Sequence, residues 1–225
     1  MQLERICVFS GPSLGQYVFH PSITAYPPAR RGSMIGAVSA GYQRIGIIDG
    51  SIDETDQLTA TEIVEALRAR PIELFGGASM GAIHAAELGA AGMHGLGHVF
   101  RLFRRRAVQD RDEVYVLHAP REFRYRCLTI PLINIRFTLR RLRRNGWLDS
   151  TQEGAIARFM KEVPWFERDW ESLGKVVEIV LGYQQHESLT RRFRALYRDV
   201  KREDALLVIS KLRSKRERSR QRMRV

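Results

Sequence analysis

The chain has 225 residues, 44% hydrophobic and 28% charged, the proportions of an ordinary globular protein with room for one good core and an appendage. It has no run of eighteen apolar residues, which excludes a membrane-spanning helix; its opening, Met1 to Cys7, carries Glu4 and leads straight into an apolar run, so no signal peptide and a cytoplasmic location are expected. The formal net charge is +12, and +10 of it falls in residues 191–225, where fourteen Lys or Arg face four Asp or Glu.

Read in chain order, Ile6–Phe9 is an apolar run that predicts the first strand, and Ser10-Gly11-Pro12-Ser13-Leu14-Gly15 a tight loop after it. Pro27 and Pro28 exclude a helix and make residues 26–33 an extended connection. Met34 to Tyr42 is rich in small residues and reads as a short helix or turn. Ile45 to Ile48 has the continuous apolar character of a parallel strand covered on both faces, and it ends at Asp49-Gly50. Ile63, Val64 and Leu67 stand at helical spacing within Thr59–Arg70. Ile72–Phe75 predicts a third strand and Met80–Ala91 the next helix. Glu113–His118 reads as a fourth strand, and Leu128–Arg136 as an extended approach to a helix over Arg136–Asn145 that Gly146 ends. From Thr151 the pattern is helical, over 155–163, 165–181, 189–200 and 204–212.

Alternation of strand and helix predicts an α/β fold, with an open, mostly parallel sheet and flanking helices, followed by an all-helical basic C-terminal region. The expected division is 1–150 for the core, 151–212 for a helical extension and 213–225 for a basic tail too poor in apolar residues to order without a partner. A basic tail suits nucleic acid, an acidic protein or an acidic peptide; with no aromatic interleaving and no nucleic-acid motif, nucleic acid is not expected.

Gly77-Ala78-Ser79-Met80-Gly81 spells G-x-S-x-G between a predicted strand and a predicted helix, the context of a nucleophile elbow. The bland alternative is that Ser79 caps the helix and the glycines permit close packing. Ligands of open parallel sheets bind at the carboxyl ends of the strands. Those ends carry Ser10, Gly11 and Ser13, then Asp49, then Gly77, Ser79 and Met80. Asp49 can orient a base, bind a cation or cap the following turn. His118, after Asp110, Asp112 and Glu113, is the best histidine to serve Ser79. His84 lies about 140° around the helix from Ser79 and faces elsewhere. Asn134 can donate to a carbonyl or thiocarboxylate; Glu87 and Arg136 can equally form a structural ion pair. Cys7 and Cys127 lack metal-type spacing, and His94 with His98 lack further ligands, so no metal and no cofactor are expected.

The ordered string Val8-Phe9-Ser10-Gly11-Pro12-Ser13-Leu14, Tyr26-Pro27-Pro28-Ala29, Gly46-Ile47-Ile48-Asp49-Gly50, Gly77-Ala78-Ser79-Met80-Gly81-Ala82, Ala85-Ala86-Glu87-Leu88, Gly92-Met93, Gly95-Leu96-Gly97, Asp112-Glu113-Val114, His118 and Pro131-Leu132-Ile133-Asn134-Ile135-Arg136 resembles the TfuA family over roughly residues 6–173. The resemblance implies an accessory protein of ribosomal peptide modification, of the kind named for trifolitoxin production, a bacteriocin pathway. Such a protein works beside a YcaO enzyme and a precursor peptide. It would release sulfide from a thiocarboxylated ThiS-like carrier for backbone thioamidation. Hydrolase-like roles would then fall to Ser79, Asp49 and His118, and substrate binding to Ser10, Gly11, Ser13, Gly77, Met80, Asn134 and Arg136. Two departures stand out: Ala60-Thr61-Glu62 replaces a histidine-lysine-glutamate string, and His84 replaces an arginine. They admit the alternative of a non-catalytic scaffold that recruits a YcaO enzyme or precursor peptide.

Overall fold

The computed structural model describes residues 4–214. Five parallel strands, β1 (Ile6–Phe9), β2 (Ile23–Tyr26), β3 (Arg44–Ile47), β4 (Glu73–Gly76) and β5 (His94–Gly95), form one sheet in the order β2-β1-β3-β4-β5. Helices α1 (Ser33–Ser39), α2 (Ala60–Ala69), α3 (Met80–Leu88) and α4 (Gly97–Arg104) flank it. Five more follow: α5 (Leu132–Arg144), α6 (Ser150–Glu162), α7 (Trp170–Leu181), α8 (Tyr183–Ala195) and α9 (Val200–Arg213). The α/β fold with a helical C-terminal region is therefore as the strand and helix pattern predicts.

Local signals explain most boundaries. Thr59 caps α2 by accepting from Glu62 N, and Asp149 and Asp169 open α6 and α7 with reciprocal capping boxes. Pro131 sits before the first turn of α5, so that helix starts four residues earlier than predicted, at Leu132. Two strands escape prediction: β2 precedes a Pro-Pro pair, and β5 is two residues long in a glycine-rich turn.

The expected strand at Glu113–His118 is not one. Arg111–Val114 forms a 3-10 turn, and the chain beyond it is extended. Val114 and Val116 are buried, but the backbone pairs locally rather than with the sheet. Leu117 N donates to Thr129 Oγ1, Leu128 N donates to Leu117 O, and His118 bridges Cys127. Arg168 ties this segment to the helical layer: its buried guanidinium donates to Asp112 and to the carbonyls of Met160, Lys161 and Val163.

The last helix returns to the sheet. Ala205, Val208, Ile209 and Leu212 of α9 pack with Val8, Ile48, Phe75 and Ala78, covering one face, while α1 and α2 cover the other. Asp204 accepts from His98 N and Val99 N and so caps α4 from a distance. Gly97, at φ 94°, leaves room for it; a β-carbon there would meet Asp204 Cγ at 2.1 Å. Burial pushes the Asp204 carboxyl up to about 6 from an ordinary 3.8, against the pull of its two amide donors. The folded state therefore holds this proton more tightly than the unfolded chain. The stability that protonation adds is fully present below pH 3.8 and is lost as pH rises through about 6. Asp204→Asn is expected to flatten the fall in unfolding free energy across that window, measured by urea titration at several pH values. An unchanged slope would assign it to other groups.

The turn from β4 into α3 crosses β3 at backbone contact. A β-carbon on Gly81 would lie 1.8 Å from Ile47 O, and one on Gly76 2.1 Å from Gly81 O. Because the obstacle is backbone, Gly81→Ala is expected to destabilise by about 2 kcal/mol. A urea midpoint equal to wild type would refute the close packing.

Candidate functional site

The strand order reverses between β1 and β3, which makes the carboxyl ends of these strands the topological switch point of the sheet. A cavity of about 830 Å³ opens there. Asp49, Ser79 and His118 all line it, brought together from the ends of β3 and β4 and from the irregular segment before α5.

Asp49 is 1% exposed. Its Oδ2 accepts from Gly11 N at 2.8 Å and Ser13 N at 3.1 Å, and its Oδ1 from Ser13 Oγ at 2.6 Å. The carboxylate thus shapes the loop after β1, and the amides of Gly11 and Ser13 are spent on it rather than turned to a ligand. Leu14 N and Gly15 N donate to Gly11 O, so no amide of Gly11–Gly15 points at an oxyanion.

Ser79 is the residue before α3. Ala78, at φ 68°, takes the left-handed conformation that aims the next residue off the strand. Ser79 is buried, yet its hydroxyl caps nothing and hydrogen-bonds to no described residue. Its backbone N–H donates to Gly77 O, whereas the N–H of Met80, first in α3, has no partner among the described residues. A free hydroxyl beside a free helix N-terminal amide is the local arrangement that acyl chemistry uses.

His118 donates through Nδ1 to Ala119 O at 2.9 Å. A carbonyl only accepts, so Nδ1 carries the proton and the Nε2 lone pair is left open. Tyr125 packs edge-on against the ring, with centroids 5.6 Å apart. Among the described residues no hydrogen bond joins His118 to Ser79 or to a carboxylate, so the three do not form a preassembled esterase triad.

The other predicted residues are not among those whose atoms line the cavity. Ser10 is buried with its hydroxyl unpartnered. Gly77 packs under α9, where a β-carbon would meet Val208 at 2.8 Å, and the Met80 side chain joins the core around Ile83 and Val99. Asn134 donates to Tyr197 Oη and Asp199 Oδ1 and accepts from Lys201 N, locking α5 to the turn before α9. Arg136 pairs with buried Glu113 through Nε and a terminal nitrogen, and Glu87 pairs instead with Arg111. Burial lowers the pKa of His84, so it is neutral at pH 7 and supplies no cation; Glu62 gives its carboxylate to the N–H groups of Gly32, Met34 and Ile35. Desolvation pushes the Cys127 thiol up, away from nucleophilic thiolate. No metal-binding cluster of His, Cys, Asp and Glu occurs among the described residues, and no helix is long and apolar enough to cross a membrane.

Lys201 is the residue that sequence reasoning missed. It lines the cavity from the first turn of α9 and is 3% exposed, and its ammonium donates to Val114 O at 2.6 Å. It forms no salt bridge among the described residues. A buried ammonium with donors to spare favours an anion in the adjoining space.

A family model described as TfuA-like protein matches residues 49–169, just over half of the chain. The chain belongs to the TfuA family. A comparison with curated proteins gave no match. The TfuA match begins at Asp49 and contains Ser79 and His118. Gly11 and Ser13, which hold Asp49, and Lys201, which lines the same cavity, come from outside the matched segment.

Proposed function

We propose that this TfuA-family protein hydrolyses a thiocarboxylated ThiS-like carrier and delivers the sulfide to a YcaO enzyme that thioamidates a precursor peptide. The observation that carries the reading is the free Ser79 hydroxyl in a switch-point cavity that also holds the buried Lys201 ammonium. A thiocarboxylate is an anionic acyl donor. A glycine-ended carrier tail is thin enough to enter between strand ends.

In the first step of this scheme Ser79 Oγ adds to the acyl carbon, and the Met80 N–H donates to the oxyanion. The C–S bond then breaks, and sulfur leaves as hydrosulfide with the serine proton, relayed through His118 Nε2. Water next cleaves the serine ester, which restores the hydroxyl, leaves a carboxylate on the carrier and releases one proton. Lys201 would hold the anionic end throughout. Asp49, with its oxygens engaged by the loop after β1, serves as the brace of the cavity in this scheme, so a water held by Asp49 is the less favoured nucleophile.

A non-catalytic scaffold is the second reading, favoured by Glu62 being committed wholly to α1. The test is sulfide release from the thiocarboxylated carrier, with and without the YcaO enzyme. Release that requires this protein supports the hydrolase. A protein that binds the YcaO enzyme yet never accelerates release is the scaffold.

A further inference from the structure

A second cleft, about 590 Å³, lies away from the switch-point cavity and shares no lining residue with it. Arg101 and Arg105 at the end of α4, Arg140, Arg141 and Arg144 in the last turns of α5, and Arg198 before α9 surround it, and no acidic residue lines it. One of the six is paired from outside, Arg198 with Glu203 at 2.7 Å; Glu153 reaches Arg140 only at 4.0 Å and is hydrogen-bonded to Arg143. Arg101, Arg105, Arg141 and Arg144 form no ion pair within 4.0 Å among the described residues, although Asp204 and Glu203 attract Arg101 and Arg141 from farther off. Arginines near helix C-termini are favourable one at a time. Convergence of six from three elements on one concave surface leaves a repulsion that the neighbouring carboxylates offset only in part, and an anion in the cleft would offset the rest.

We propose that this groove docks an acidic peptide segment of a partner protein. Guanidinium forks match carboxylates in pairs, which lysines would not. The floor argues against single-stranded nucleic acid. Of its two rings, Phe137 is only 9% exposed, with Arg140 at 5.6 Å, Arg198 at 5.0 Å and the His98 ring at 5.4 Å, and His98 is flanked by two arginines, so neither is a free platform for a base. The His98 ring lies between Arg101, 3.0 Å from Nδ1, and Arg198, 3.2 Å from Nε2; an imidazole accepts at one nitrogen only, so it takes a hydrogen bond from one of these guanidiniums at a time. The inference stands whether or not the cavity hydrolyses a thiocarboxylate.

The test is fluorescence anisotropy of a labelled oligoglutamate peptide on the full chain, with an oligothymidylate of the same charge as competitor. The groove variant is Arg101→Gln with Arg141→Gln and Arg144→Gln. A control of equal charge change carries Arg68→Gln, Arg70→Gln and Arg121→Gln. All six side chains are exposed, so both variants are expected to fold, as thermal melting checks. The groove variant is expected to weaken peptide binding by about tenfold and the control by less than about twofold. Equal losses in the two variants would show that net charge alone binds the peptide and would overturn the proposal. So would preference for the oligothymidylate, or no binding by wild type at low salt.

Discussion

Ser79→Ala is expected to lower sulfide release from a thiocarboxylated carrier by about a thousandfold, or about 4 kcal/mol of transition-state stabilisation, while leaving the fold unchanged. The two halves of that expectation come from one observation. The Ser79 hydroxyl hydrogen-bonds to no described residue, so its removal leaves no buried donor or acceptor orphaned. Alanine also suits the position before α3 sterically, since the close contacts of this turn belong to Gly76 and Gly81. Melting of the variant should therefore match wild type. The rate is measured as sulfide formed under saturating carrier, which isolates the chemical step from binding. A variant that releases sulfide at the wild-type rate would remove Ser79 from the chemistry, and a wild type that releases none would turn the reading to the scaffold.

The parts of this site that the sequence made legible are those whose signal is local. Ile6–Phe9, Ile45–Ile48 and Ile72–Phe75 are short runs closed by Ser10, Asp49 and Gly76, and each places a polar residue at or just beyond a strand end. Three such ends in succession point to Asp49 and Ser79 without any knowledge of strand order. Asp49's actual occupation was legible only in part: a capping role was foreseeable, but not that Gly11 and Ser13 would supply its three donors. His118 reached the cavity by a different route from the fourth strand expected at Glu113–His118, because Leu128 N bonds Leu117 O and neither joins a sheet edge. Lys201 carried no local mark. It is one of fourteen cations in residues 191–225, and that charge run reads as a solvated helix. Only the return of α9 across the sheet, with Val208 against Gly46 and Gly77, turns its first turn inward. A contact more than a hundred residues distant along the chain has no signature in spacing or composition.

That position makes Lys201 the sharper test of what the cavity binds. Lys201→Met is expected to raise the Michaelis constant for the thiocarboxylated carrier about a hundredfold, the loss of a charge-assisted hydrogen bond of about 3 kcal/mol, with a smaller change in turnover at saturation. Methionine keeps the length and the apolar stem, and it removes the cost of burying an ammonium that meets one carbonyl and no carboxylate among the described residues. Stability should accordingly fall by no more than about 2 kcal/mol, the value of a charge-assisted bond to Val114 O, and relief of the ammonium's desolvation offsets part of that. A purely structural lysine behaves in the opposite way: its loss lowers the melting temperature and leaves the Michaelis constant where it was. Raising the ionic strength separates the two further. Binding through a buried ammonium is screened weakly, whereas attraction by the exposed arginines of the α4–α5 groove falls steeply with salt. A Michaelis constant that is insensitive to Lys201→Met but strongly salt-dependent would move recognition of the carrier from the cavity to that groove.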